Sequence, residues 1–139
     1  MELKIYTNTG IREVKKQFTR FFPFLKLEFF FYSQTGYENL FASEEPYYGL
    51  YVAETSDVFK EGVLTFSPTT TVADLVLLFK DKLGLAIKIF RRTGDSWVET
   101  DGTTHLTLSK QNNMGASLFR PVKINTYTLF LWQFFLSRW

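Results

Sequence analysis

A chain of 139 residues, 45% of them hydrophobic, is the size of one domain and can bury a core without covalent staples. Phe occurs 16 times and aromatic residues make up 19%, which excludes a disordered chain; the absence of cysteine excludes disulfides, thiolate zinc sites and cysteine nucleophiles. The net charge of +2 is too small for a broad phosphate footprint, so nucleic acid is not the first partner to expect.

In chain order, Leu3 and Ile5 mark a short strand, and Thr7 to Gly10 supply a turn and a helix start. Ile11, Val14, Phe18, Phe21 and Phe22 recur with helical spacing opposite Arg12, Lys15, Lys16 and Thr19, which predicts an amphipathic helix. Pro23 ends it, because proline cannot continue a helix and restricts the residue before it. Phe24 to Tyr32 then alternates and becomes apolar on both faces, as an interior strand does.

Residues 33–62 are polar and acidic, with six acidic groups against one basic in residues 31–62. Solvated connecting loops often have this character, but a connection this long is expected to be partly ordered, with Tyr47 to Val52 the best strand candidate. Both ends of the chain are basic. Residues 1–30 carry six basic and three acidic side chains, and residues 101–139 four and one.

Val63, Leu64 and Phe66 predict a strand, and Thr71 with Asp74 three residues on marks a helix start. Val72, Leu75, Val76, Phe79 and Leu83 define the apolar face of that helix, and Gly84 stands where a left-handed cap would end it. Ile87, Ile89 and Phe90 follow as a strand, and Thr93, Gly94 and Asp95 turn the chain into Ser96, Trp97 and Val98 as a hairpin. Leu106 to Asn113 is expected to be a brief strand or one or two helical turns ending near Gly115.

At an offset of 61, Ile11 matches Val72, Val14 matches Leu75, Phe18 matches Phe79 and Phe22 matches Leu83. Two βαβ units, residues 3–32 and 63–92, joined by the acidic connection 33–62, predict an α+β domain over residues 1–116. A ferredoxin-like split βαβ sandwich is expected, with an added hairpin over residues 86–100 and an apolar tail over residues 117–139. A β-grasp sheet with an added helix is the competing arrangement, and the discriminator is whether the strands at Leu3 and Val63 lie side by side in the centre.

PFLKLEFF at Pro23 to Phe30, TVADL at Thr71 to Leu75, FRRTGDSWVET at Phe90 to Thr100 and LTLSKQN at Leu106 to Asn112 resemble a family of small uncharacterised bacterial proteins, over about four fifths of the chain. The resemblance implies no activity, cofactor or catalytic residue. Members of that family continue with an acidic, polar end, whereas this tail turns apolar and basic.

Catalytic signals are weak. His105 has no acid partner in sequence, Glu44 and Glu45 are sequence neighbours in a loop, and neither GxGxxG nor GxxxxGK[ST] occurs. No enzymatic activity, metal or cofactor is expected. Met1 is followed by Glu2 and Lys4 with no apolar run, so no signal peptide is expected and the setting is read as cytoplasmic.

The expected function is a small protein-interaction module, acting through its sheet face or its tail, with homo-oligomer formation as one outcome. In the tail, YTLFLWQFFL from Tyr127 to Leu136 is too short for a bilayer span of about 17 to 25 residues, and Tyr127, Phe130, Trp132, Phe134, Phe135 and Trp139 are the candidate partner contacts. The first alternative is single-stranded nucleic-acid binding by Phe30, Tyr32, Lys88, Arg91 and Arg92, although no RRM-type signature is present. Attachment to a membrane surface through the tail is the second.

Overall fold

The computed structural model describes residues 1–33, 36–41 and 50–118, with side chains described outside 33–49. Strand β1 (Glu2–Ile5) leads to helix α1 (Ile11–Phe21), then β2 (Leu25–Ser33) and β3 (Gly36–Phe41). A 3-10 turn at Val52–Thr55 precedes β4 (Gly62–Thr65), α2 (Val72–Leu83), β5 (Ala86–Thr93) and β6 (Ser96–Glu99). A second 3-10 turn, Asp101–Thr103, precedes α3 (Leu108–Leu118). The fold is α+β, with three helices and two antiparallel sheets among the described residues.

The helices end where local chemistry requires. Phe22 leaves α1 at φ −134°, ψ 89°, outside the helical region that Pro23 disfavours for its predecessor. At the start of α2 the Thr71 hydroxyl accepts the Asp74 amide at 3.1 Å. Thr71→Ala should lower stability by about 1 kcal/mol, read as a shift in the urea midpoint at unchanged slope. An unchanged midpoint would mean that the cap bond is fully replaced by water.

The strands pair differently from the ferredoxin-like expectation. β1 and β4 do lie side by side, Leu3 opposite Leu64, but they form a sheet of their own. The other sheet runs β3-β2-β5-β6, and β2 pairs directly with β5 from Leu25 opposite Arg91 to Phe30 opposite Ala86. In a split βαβ sandwich the closing strands of the two units are kept apart by the opening ones. Here the two long strands satisfy each other's backbone groups, and the two four-residue strands do the same.

Alternation along β2 and β5 sends Leu25, Leu27, Phe29, Ile87 and Ile89 to one face, all buried. Both helices rest on that face, α1 over β2 and α2 over β5. Phe79 of α2 meets Phe29 edge-on at 6.2 Å, while Phe18 of α1 stacks at a tilt on Phe22 at 5.5 Å. All eight residues matched across the two units are buried.

Two expectations are corrected. Among the described residues the strand in the acidic connection is Gly36–Phe41; residues 47–49 of the expected strand lie outside the described residues, Tyr51 makes an isolated bridge to Gly10, and Val52 begins a 3-10 turn. Of the two readings of the stretch from Leu106, the helical one holds from Leu108, and the helix is longer than expected, 11 residues ending at Leu118. Gly115 lets that helix close on the sheet, since a Cβ there would lie 2.8 Å from Phe24 Cβ.

Candidate functional site

A cleft of about 400 Å³ opens between α2 and the edge of β5. Val72, Ala73, Val76 and Leu77 form its helix wall, Ile87 and Ile89 its floor, and Lys88, Thr100, Asp101 and Thr104 complete the lining at one end. Helical spacing explains the wall: Val72 and Val76 lie one turn apart on the core-facing side, and Ala73 and Leu77 one turn apart beside them. Leu77 is 52% exposed, an unusual position for a leucine on a helix whose other side fills the core.

The floor is a strand edge. β6 covers β5 only from Phe90 to Thr93. The carbonyl of Ile89 accepts the Thr100 amide at 3.3 Å and the Thr100 hydroxyl at 2.8 Å, which places the odd-numbered backbone groups of β5 on the side away from β2. By antiparallel alternation the N–H and C=O of Ile87 point the same way, and among the described residues no strand covers them there. Ile87 is only 3% exposed, so these groups lie at the bottom of the cleft rather than on an open rim.

Beside Asp101 the cleft meets a charge cluster whose Lys88 and Glu99 belong to the opposite sheet face. The Lys88 ammonium lies 3.1 Å from Asp101 Oδ2 and 3.4 Å from Glu99 Oε1. Partial burial works against this cation, but the hydrogen bond to Asp101 and the charges of Asp101 and Glu99 outweigh it, and its pKa is raised above the ordinary lysine value. The pairing therefore contributes at neutral pH and is lost only as pH rises through that raised pKa.

On the opposite sheet face the candidate nucleic-acid residues are partly gathered and partly divided. Phe30 is 3% exposed, with the Lys88 ammonium 5.3 Å above its ring. Arg92 lies 5.4 Å from the Trp97 ring and donates to the Gly94 carbonyl at 2.9 Å, and Lys26 sits over both Phe90 and Trp97. Tyr32 is half-buried near the end of β2 and faces Tyr37 of β3 in the ladder. Arg91 is elsewhere, with its side chain donating at 2.7 Å to Gln111 of α3.

His105 is exposed, and no group of three or more His, Cys, Asp or Glu side chains among the described residues could hold a metal ion. No described helix is long and apolar enough to cross a membrane. Tyr127, Phe130, Trp132, Phe134, Phe135 and Trp139, with Glu44 and Glu45, lie outside the described residues.

Sequence reading missed Ala73, Leu77 and Ile87 as site residues. Leu77 carried a faint signal, because it falls off the stripe of Val72, Leu75, Phe79 and Leu83 and so had no core to enter. Gln111 was missed as a structural residue. It is fully buried, donates to the carbonyl and hydroxyl of Thr103 at 2.8 Å each, and accepts from Arg91. Asn112 accepts the Phe24 amide at 2.8 Å, so the QN pair ties α3 to the sheet. Compared with protein-family models, curated proteins and solved structures, the chain finds no match.

Proposed function

We propose that this protein is a small non-enzymatic binding module that takes up an extended segment of another protein by strand addition between β5 and α2. The observation that carries the reading is the uncovered Ile87 edge at the floor of an apolar cleft. A strand supplies both things the site lacks: backbone groups for Ile87, and alternate side chains that can enter between Leu77 and the sheet. A buried, unpaired backbone group is costly, which makes this edge a better acceptor than an open one.

The edge of β1 is less suited. By the same alternation the outward backbone groups there belong to Glu2 and Lys4, whose side chains are exposed, and charges along an edge oppose strand addition. A second copy of the chain is also a poor occupant, because the uncovered edge spans only Ala86 to Lys88 and a stable dimer needs roughly 800 Å² per partner. Nucleic-acid binding loses support from the burial of Phe30 and the turn of Arg91 toward α3. The bacterial, cytoplasmic setting expected from the sequence belongs to the same proposal.

The test is selection of a displayed random 12-residue peptide library on the full chain. Expected are peptides with alternating apolar residues whose binding shifts the amide resonances of Ile87 and Leu77. Ala73→Arg, which fills the cleft from its half-exposed wall, should abolish retention while leaving the rest of the amide spectrum in place. Peptides retained equally by that variant would refute the site, as would concentration-dependent dimerisation that protects the Ile87 amide without any peptide.

A further inference from the structure

We infer that the segment received by this cleft carries a basic side chain at the end that lies beside Asp101; the inference rests on the strand-addition reading and adds the chemistry of the ligand to it. A strand laid along Ala86 to Lys88 would occupy the lane that β6 occupies beside Phe90 to Thr93, and would meet the chain at Thr100, which bonds the Ile89 carbonyl. What stands at that meeting point is Asp101, which lines the cleft and ties it to Lys88 and Glu99 of the opposite sheet face.

The cluster is unbalanced. One ammonium, from Lys88, serves two carboxylates, Glu99 at 3.4 Å and Asp101 at 3.1 Å, which leaves one negative charge in excess. Asp101 and its partner Lys88 both line the cleft, and the Asp101 side chain is 57% exposed, so its carboxylate is open to a second cation. The backbone between Glu99 and Asp101 is held from behind: the Thr100 amide and hydroxyl both bond the Ile89 carbonyl, and the Thr103 amide closes the 3-10 turn on the Thr100 carbonyl at 2.9 Å. Such fixed, partly solvated carboxylates favour an incoming lysine or arginine and oppose an incoming acid.

The remaining surfaces of the cleft are apolar or hydroxylic and carry no charge. Ala73, Val76 and Leu77 give the helix wall, and Thr104 lines the cleft near Asp101. Register and orientation of an otherwise featureless apolar strand would therefore be set by this one charged end. The ligand class is an extended peptide segment with alternating apolar residues and one terminal cation.

The same displayed library, selected in parallel on the wild type, on Asp101→Lys and on Lys88→Gln, tests the inference. Lysine and arginine should be enriched over aspartate and glutamate at one end of the wild-type peptides. Asp101→Lys should reverse that preference, and Lys88→Gln, which leaves both carboxylates uncompensated, should strengthen it. For synthetic peptides from the wild-type selection, exchanging the terminal cation for glutamate should weaken binding about fivefold, the scale of an exposed ion pair, and the loss should shrink at high salt. Peptides that shift Ile87 and Leu77 in all three proteins without any charge preference would overturn the inference and leave strand addition standing. Failure of the wild type to retain peptides, or shifts confined to other residues, would overturn both.

Discussion

Phe79→Ala is expected to destabilise the protein by about 3–5 kcal/mol. Phe79 is fully buried at the centre of the inner face of α2 and meets Phe29 of β2 edge-on, with the ring planes at 70°. Its removal takes away apolar burial, the aromatic contact and the wedge between α2 and the sheet, and neighbours anchored on rigid strands cannot collapse into the space. Against a total stability of about 5–15 kcal/mol, such a loss leaves the domain marginal or unfolded at ambient temperature. Leu77→Ala on the same helix, at a half-exposed position, should stay within about 0.5 kcal/mol. Urea denaturation of both variants checks the pair; losses of similar size would remove α2 from the centre of the core.

Gly84→Ala is expected to cost about 2–4 kcal/mol, the sum of left-handed strain and a forced backbone shift. Gly84 caps α2 at φ 64°, ψ 34°, donating its amide back to Lys80. A Cβ there would lie 2.2 Å from the Val58 carbonyl oxygen and 2.9 Å from its carbon, atoms that no side-chain rotation can move. The 56–60 segment cannot easily retreat. Ser56 donates to the Gly84 carbonyl at 2.6 Å, the Val58 amide bonds the Ser56 hydroxyl, and the Lys60 amide bonds Leu83. Gly94 is the control, since it has nearly the same φ of 60° but nothing within 4 Å of a built Cβ, so Gly94→Ala should show the strain alone, about 1–2 kcal/mol. Equal midpoints for the two variants in thermal and urea unfolding would remove the close approach of Val58 as a cause.

The sequence was least informative where function is concerned. The basic residues Lys88, Arg91 and Arg92 read as one patch on one strand, yet alternation and the docking of α3 divide them. Lys88 pairs with Asp101 over the ring of Phe30, Arg91 turns to Gln111, and Arg92 turns to Trp97 and Gly94. The cleft was invisible because its parts come from α2, from an uncovered portion of β5 and from the turn after β6. None of these segments has a motif of its own.

What the chain determined by itself is local: the period of Ile11 to Phe22 and of Val72 to Leu83, the stop at Pro23, the Thr71 cap, the left-handed Gly84 and the Gly94 hairpin. These follow from sterics and hydrogen bonds within a few residues, and short-range physics can be read in order. Only the tertiary structure decided which strands pair, since Leu25–Phe30 and Ala86–Arg91 find each other across more than fifty residues through matched length and a shared apolar face. It also decided that β6 stops short of Ile87, and so left at the floor of a greasy cleft the pair of backbone groups from which the proposed activity follows.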